Sequence, residues 1–200
     1  MSFWDDRYSR PDYVFGEAPN AFLAAQVGRL AGYATALAVA DGEGRNGVWL
    51  AEQGLAVVAI DASAVGLEKA ARLARKRGVA IETRHLDIAD YEWPENTFDV
   101  VAAIFVQFAA PPLRDAMFAG MIRTLAPGGL LLLEGYGPRQ LDYKTGGPGV
   151  LENLYTEDLL ADRFAPLDIL ELRSYDAEVN EGAGHSGLSA LVDLVARKPG

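Results

Sequence analysis

Thr35-Ala36-Leu37-Ala38-Val39-Ala40-Asp41-Gly42-Glu43-Gly44-Arg45-Asn46-Gly47 is a run of small apolar residues that passes directly into a glycine-rich turn. Residues 35–40 read as a strand. Residues 44–53 read as a helix that buries Val48, Leu50 and Ala51, with Gly54 ending it. Gly42 and Gly44 let the backbone turn tightly and approach a ligand with no Cβ in the way. The helix that follows aims free N–H groups at the same spot. Taken literally, Gly42, Gly44 and Gly47 also match the dinucleotide pattern G-x-G-x-x-G.

The same alternation repeats outward from this turn. Residues 55–60 form a continuous apolar run, which suits a strand covered on both faces. Ser63 caps a helix reaching about Lys76, and Gly78 stops it. Residues 79–86 read as strand three, 92–97 as a loop and 98–105 as strand four. Residues 111–125 read as a helix with Leu113, Met117, Met121 and Leu125 on its buried side. Pro127-Gly128-Gly129 breaks that helix, and 130–133 is strand five. Residues 135–149 are rich in Gly and Pro and read as a functional loop. A short helix spans 156–164. Two strands, 166–178 and 187–198, flank the turn at 180–184 and must run antiparallel. The expected fold class is α/β: one doubly wound, Rossmann-like sheet, mostly parallel, with an antiparallel C-terminal hairpin and helices on both faces. One domain is expected over 1–200. It comprises an N-terminal cover and helix (1–33), a ligand-binding core (34–134) and a substrate loop, helix and hairpin (135–200).

Composition narrows the function. The chain has 200 residues, with 18 Lys and Arg against 28 Asp and Glu, for a net charge of −10. That field repels phosphate backbones, so no nucleic-acid partner is expected. No apolar run is long enough for a bilayer helix, so no membrane partner is expected. The opening Met1-Ser2-Phe3-Trp4-Asp5-Asp6 is acidic and aromatic, unlike a secretory signal, and a cytoplasmic location is expected. Cysteine is absent, which removes disulfides and thiolate chemistry. The two histidines are far apart and have no clear acid pair beside them, so no metal site is expected. Nothing in the sequence indicates an oligomeric state.

Ligands in such sheets bind beyond the carboxyl ends of the strands, where strand order reverses. Strand two ends at Asp61, whose carboxylate can accept both hydroxyls of a ribose. Strand three ends in Leu86-Asp87-Ile88, an acid between apolar residues suited to an adenine amino group and ring. With the glycine turn and the corner Leu125-Ala126-Pro127-Gly128-Gly129, these pieces resemble, in order and spacing, the class I S-adenosylmethionine-dependent methyltransferases. Gly42-Glu43-Gly44-Arg45-Asn46, Glu134-Gly135-Tyr136, Thr145-Gly146-Gly147-Pro148 and Leu154-Tyr155-Thr156 look like the small bacterial methyltransferases related to tellurite-resistance methyltransferases.

The resemblance implies S-adenosyl-L-methionine as cofactor and a small soluble acceptor: an oxyanion, a thiol or another metabolite. It implies that Asp41, Gly42, Glu43 and Gly44, with Ala40 and Asn46 in the same loop, face the methionine part. Asp61 would hold the ribose, with Ala62 and Ser63 beside the adenine. Leu86, Asp87 and Ile88 would frame the adenine edge, and Ile104 and Phe105 would border the sulfonium. Tyr13-Val14-Phe15-Gly16 with Pro19-Asn20 resembles the family's N-terminal cover, which puts Phe15 at the cofactor. Two positions depart from the pattern. Ala38 stands where the family carries an acid, and Ala40 where it carries a glycine. Asp41 is expected to supply part of the missing charge.

For an acceptor that must lose a proton, the candidate bases are few. His185 follows the last hairpin turn, on the active side of the sheet. His85 lies near the end of strand three, and Tyr136 and Tyr143 flank the glycine-rich loop. Gln107, after strand four, could bind a polar acceptor atom. The catalytic set is therefore read as His185, Tyr136 and Gln107. Trp4, Tyr8, Tyr13 and Phe15 form either a lid or a staple onto the core, and Lys69, Arg72, Arg75, Lys76 and Arg77 read as a solvated helix face. Two other functions fit parts of the pattern. One is a nicotinamide-dependent oxidoreductase, which leaves Asp87 and the Pro-Gly-Gly corner unexplained. The other is a non-catalytic module that keeps the cofactor pocket.

Overall fold

A computed structural model describes residues 3–200; Met1 and Ser2, part of the opening read above, lie outside them. Seven strands form one sheet: β1 (Thr35–Val39), β2 (Ala56–Asp61), β3 (Glu82–His85), β4 (Phe98–Ile104), β5 (Leu125–Tyr136), β6 (Asp168–Glu181) and β7 (His185–Arg197). Their spatial order is β3-β2-β1-β4-β5-β7-β6. β1 to β5 pair in parallel, and β7 pairs antiparallel with both β5 and β6. The order reverses between β1 and β4, which fixes where a crevice opens.

Helices α1 (Phe3–Tyr8), α2 (Ala21–Ala25), α3 (Arg45–Glu52), α4 (Ala64–Arg77), α5 (Pro111–Thr124), α6 (Gln140–Tyr143) and α7 (Glu157–Arg163) surround the sheet. Local chemistry sets their ends. The Ser63 hydroxyl accepts from Gly66 N at 3.0 Å and starts α4; Gly78, at φ 74°, ends it. Thr156 caps α7 through Leu159 N, with Glu157 and Asp158 in the first turn. Successive strand residues face opposite cores. Leu37, Val39, Val101 and Ala103 pack with Met117, Phe118 and Met121 of α5. Ala36, Ala38, Val100 and Ala102 pack with Leu50 of α3 and with Phe22 and Leu23 of α2.

The fold class matches the sequence reading, and several boundaries differ. β3 is a short, exposed edge strand, four residues where 79–86 was expected. β5 begins at Leu125, pairs with Phe98 and shifts register before Leu130, so the Pro-Gly-Gly corner lies inside the strand as a bulge. The expected loop at 135–149 contains α6. β6 and β7 run on to Glu181 and His185, leaving a turn of three residues.

Candidate active site

A cavity of about 390 Å³ opens beyond the carboxyl ends of β1, β2 and β4, at the reversal. Ala40 and Phe105, the first residues after β1 and β4, both have left-handed backbone (φ 48° and 57°) and both line the cavity. L-residues hold that conformation only where their surroundings enforce it.

The expected residues divide clearly. Phe15, Ala40, Asp41, Asn46, Asp61 and Ala62 line the cavity, as do Leu86, Asp87, Ile88, Ile104, Phe105 and His185. Asp61 is the best anchored. Its Oδ2 accepts from Gly42 N and its Oδ1 from Ser63 N, each at 2.8 Å. Burial raises its pKa, and these two amides pull it back. Asp41 accepts from Gly47 N at 3.1 Å through both oxygens, and burial pushes its carboxyl up to about 7. A Cβ on Gly47 would run into Asp41 Oδ2 and lie 3.4 Å from the Ala38 methyl. The Asp41 carboxylate therefore fills the corner above Ala38.

Other residues stand elsewhere. The Glu43 side chain turns away from the cavity. Its carboxylate meets Lys69 Nζ and accepts from Val14 N at 2.7 Å. Gly42 and Gly44 lie behind the cavity: a Cβ on Gly42 would strike the Tyr8 hydroxyl, and one on Gly44 would strike Ala70. Ser63 is fully buried and spends its hydroxyl on the α4 cap and on Asp5. The Gln107 amide is consumed by backbone. It accepts from Tyr136 N and donates to the Tyr136 and Asn153 carbonyls, so its polar atoms clamp the end of β5 while its side chain lines a second chamber with Tyr136. His85 is exposed, with Nε2 on the Ala62 carbonyl. Lys69 corrects the solvated-face reading. It is 1% exposed and, besides Glu43, donates to the carbonyls of Tyr8, Arg10 and Asp12.

That pair ties the N-terminal segment over the cavity, where Trp4 and Tyr8, read as a lid or a staple, line its wall; Arg45, Ile60, Phe108 and Leu113 line it too and were not named for the site. Arg45 pairs with Glu181 at 2.7 Å and donates to the Phe15 carbonyl. Burial opposes the charge on Glu181, but the His185 ring and Arg45 outweigh it and bring the carboxyl down to about 2. His185 sits between Phe15 and Phe105, 4.4 Å from each ring centre, with Nδ1 3.9 Å from Glu181 Oε2. Burial lowers its pKa, so the imidazole is neutral near pH 7 and open to a proton. Tyr136 stacks on Phe105 at 4.6 Å and lines a second chamber, described below.

The chemistry of the cavity fits a cationic adenosine. Asp61 presents a fixed carboxylate to a diol, Ile60, Leu86 and Ile88 offer apolar surface to a flat base, and Asp41 gives a negative corner to an ammonium or sulfonium. Its volume lies in the usual range for small-ligand sites.

Comparison with known proteins agrees. Residues 36–129 match the methyltransferase domain family. The chain superposes on TehB from Haemophilus influenzae with a TM-score of 0.75 and 17% identity, over 98% of this chain and 66% of that one. It superposes on the N-methyltransferase NodS from Bradyrhizobium japonicum, solved with S-adenosyl-L-homocysteine, with a TM-score of 0.74 and 16% identity, over 98% and 97%. A protein solved in work on the conversion of a disulfide bond into a thioacetal group during echinomycin biosynthesis gives 0.79 and 18%, over 98% and 90%. No curated protein matches the chain in sequence. The chain has the fold of the class I S-adenosylmethionine-dependent methyltransferases, and residues 36–129 carry its match to the methyltransferase domain family. Among the described residues, no helix is long and apolar enough to cross a membrane.

Proposed function

We propose that the protein methylates a small soluble acceptor by in-line transfer, with Asp61 holding the ribose and Asp41 facing the positive end of the cofactor. The observation that carries this reading is Asp61, fixed through both oxygens at the sheet's reversal on the wall of the cavity. When bound, S-adenosylmethionine supplies a methyl already activated on a sulfonium. The chain's own work is alignment and dryness, and alignment alone is worth about 7–11 kcal/mol. The aromatic cover of Trp4, Tyr8 and Phe15 excludes water. His185, neutral and aimed into the site, takes a proton from acceptors that carry one. The −10 charge supports a low-mass acceptor over a nucleic acid.

Thermal shift tests the reading. S-adenosylhomocysteine raises the melting temperature of the wild type, and NADH does not. Asp61→Asn keeps one backbone acceptor and weakens S-adenosylhomocysteine binding by about tenfold or more. Equal shifts with both ligands, or none with S-adenosylhomocysteine, would refute it.

A further inference from the structure

We infer that the second chamber, beside the cofactor cavity, is an acceptor subsite shaped for a flat aromatic carboxylate, held by Arg7 and Tyr136. This rests on the methyltransferase reading. The chamber measures about 370 Å³ and shares the walls Trp4, Phe15, Phe105, Phe108 and His185 with the cofactor cavity. It therefore stands where an acceptor must enter.

Its walls are aromatic. Tyr136 stacks on Phe105, and the 146–148 loop runs so close over the Tyr136 ring that a Cβ on Gly147 would lie 2.7 Å from it. A slot with ring walls favours a flat, polarisable guest. Among the residues lining the chamber, Arg7 alone has a fixed charge. Its guanidinium lies 5.7 Å from the Trp4 ring centre and 5.3 Å from that of Phe15. Arg7 makes no ion pair among the described residues, and its buried Nε has no hydrogen-bond partner. The Tyr136 hydroxyl, on a residue 1% exposed, is likewise buried and unpartnered, as is His185 Nδ1. Buried donors without acceptors are rare and costly, so the Arg7 Nε and the Tyr136 hydroxyl, both buried and unpartnered on residues that line one chamber, point to ligand oxygens.

The two chambers differ in sign. The cofactor side carries Asp41, Asp61 and Asp87 beside Arg45, whose charge Glu181 pairs, while the acceptor side carries a guanidinium with no ion pair, suited to a carboxylate. A bare inorganic oxyanion would use the guanidinium but leave most of the volume and all the ring walls without contact.

Calorimetry on the full chain tests this. S-adenosylhomocysteine is titrated first, and 4-hydroxybenzoate next, with and without it. 4-Hydroxybenzoate binds at least about tenfold tighter than 4-hydroxybenzamide, cyclohexanecarboxylate or selenite. Arg7→Gln and Tyr136→Phe each weaken it, Arg7→Gln by about tenfold, while S-adenosylhomocysteine affinity stays within about twofold. The inference is overturned if the neutral amide binds equally, if selenite binds more tightly, if Arg7→Gln changes nothing, or if 4-hydroxybenzoate fails to bind. Failure of S-adenosylhomocysteine alone would overturn the methyltransferase reading and leave the anion result readable in the cofactor-free titration.

Discussion

Asp41 sits in the turn after β1, and the structure turns its carboxylate into the corner above Ala38. Burial holds this carboxyl near 7, so it is half-protonated in neutral solution. A cation arriving beside it favours the ionised form and expels the proton. Cofactor affinity therefore rises between pH 6 and 8, and binding releases a proton. Calorimetry in two buffers of different ionisation enthalpy measures that release. Asp41→Asn abolishes both the release and the pH dependence, and weakens binding most at high pH. A flat affinity across that range would remove Asp41 from the site.

At the scale of elements, the N-terminal segment is held by a buried ion pair, not by its aromatic residues alone. Lys69 on α4 gathers three carbonyls between Tyr8 and Asp12, and Glu43, in the turn before α3, takes Val14 N. Asn20 adds a second anchor. It caps α2, its N–H donates to Asn46, and its amide donates to Glu134 and Glu181. Glu43→Gln leaves the Lys69 ammonium buried without its counter-charge and costs about 3–5 kcal/mol in urea unfolding. Proteolysis of the native protein then cuts first between residues 9 and 20. Unchanged stability would mean that the carbonyls alone satisfy Lys69. The helix pattern placed Lys69 with four other basic residues near one end of α4. Its neighbours in α4 gave no sign that a distant segment would fold over it.

The molecule as a whole carries buried acids whose pKa values are raised, and this sets its response to pH. Burial and the nearby Asp193 raise Glu134, which lies opposite Asp193 across β5 and β7. Burial raises Asp193 as well, opposed by its hydrogen bonds to Glu134 and to Arg173 at 2.8 Å. A carboxyl raised on folding binds more protons in the native state, so its stabilisation is complete at low pH and is lost as pH rises through the folded value. For Asp41 that window runs from about 4 to 7. Stability to urea therefore declines from pH 5 to pH 8. Glu134→Gln reproduces the protonated form, flattens the decline and leaves the variant more stable than wild type at pH 8. A wild-type protein that gains stability over that range would contradict the assignment.

The strand-helix alternation and the acids at or just past the ends of β2 and β3 were legible along the chain, because each depends on local periodicity and on a residue's place near a strand end. Asp61, Asp87 and Ile104, named on that ground, line the cavity. Position along a strand does not tell which way a loop side chain turns. That is why Glu43, Ser63 and Gln107 were read as ligand contacts while their polar atoms are spent inside the protein. Trp4, Tyr8 and Arg7 reach the site only because a pair of charges 26 residues apart, Glu43 and Lys69, draws the N-terminus across the sheet. The amino-acid order by itself determined the sheet and the place of its crevice, since strands and crossovers follow from short-range pattern and handedness. Only the tertiary structure decided what closes that crevice and which donors stay free within it, because burial and pairing of polar groups are settled by contacts distant in the chain.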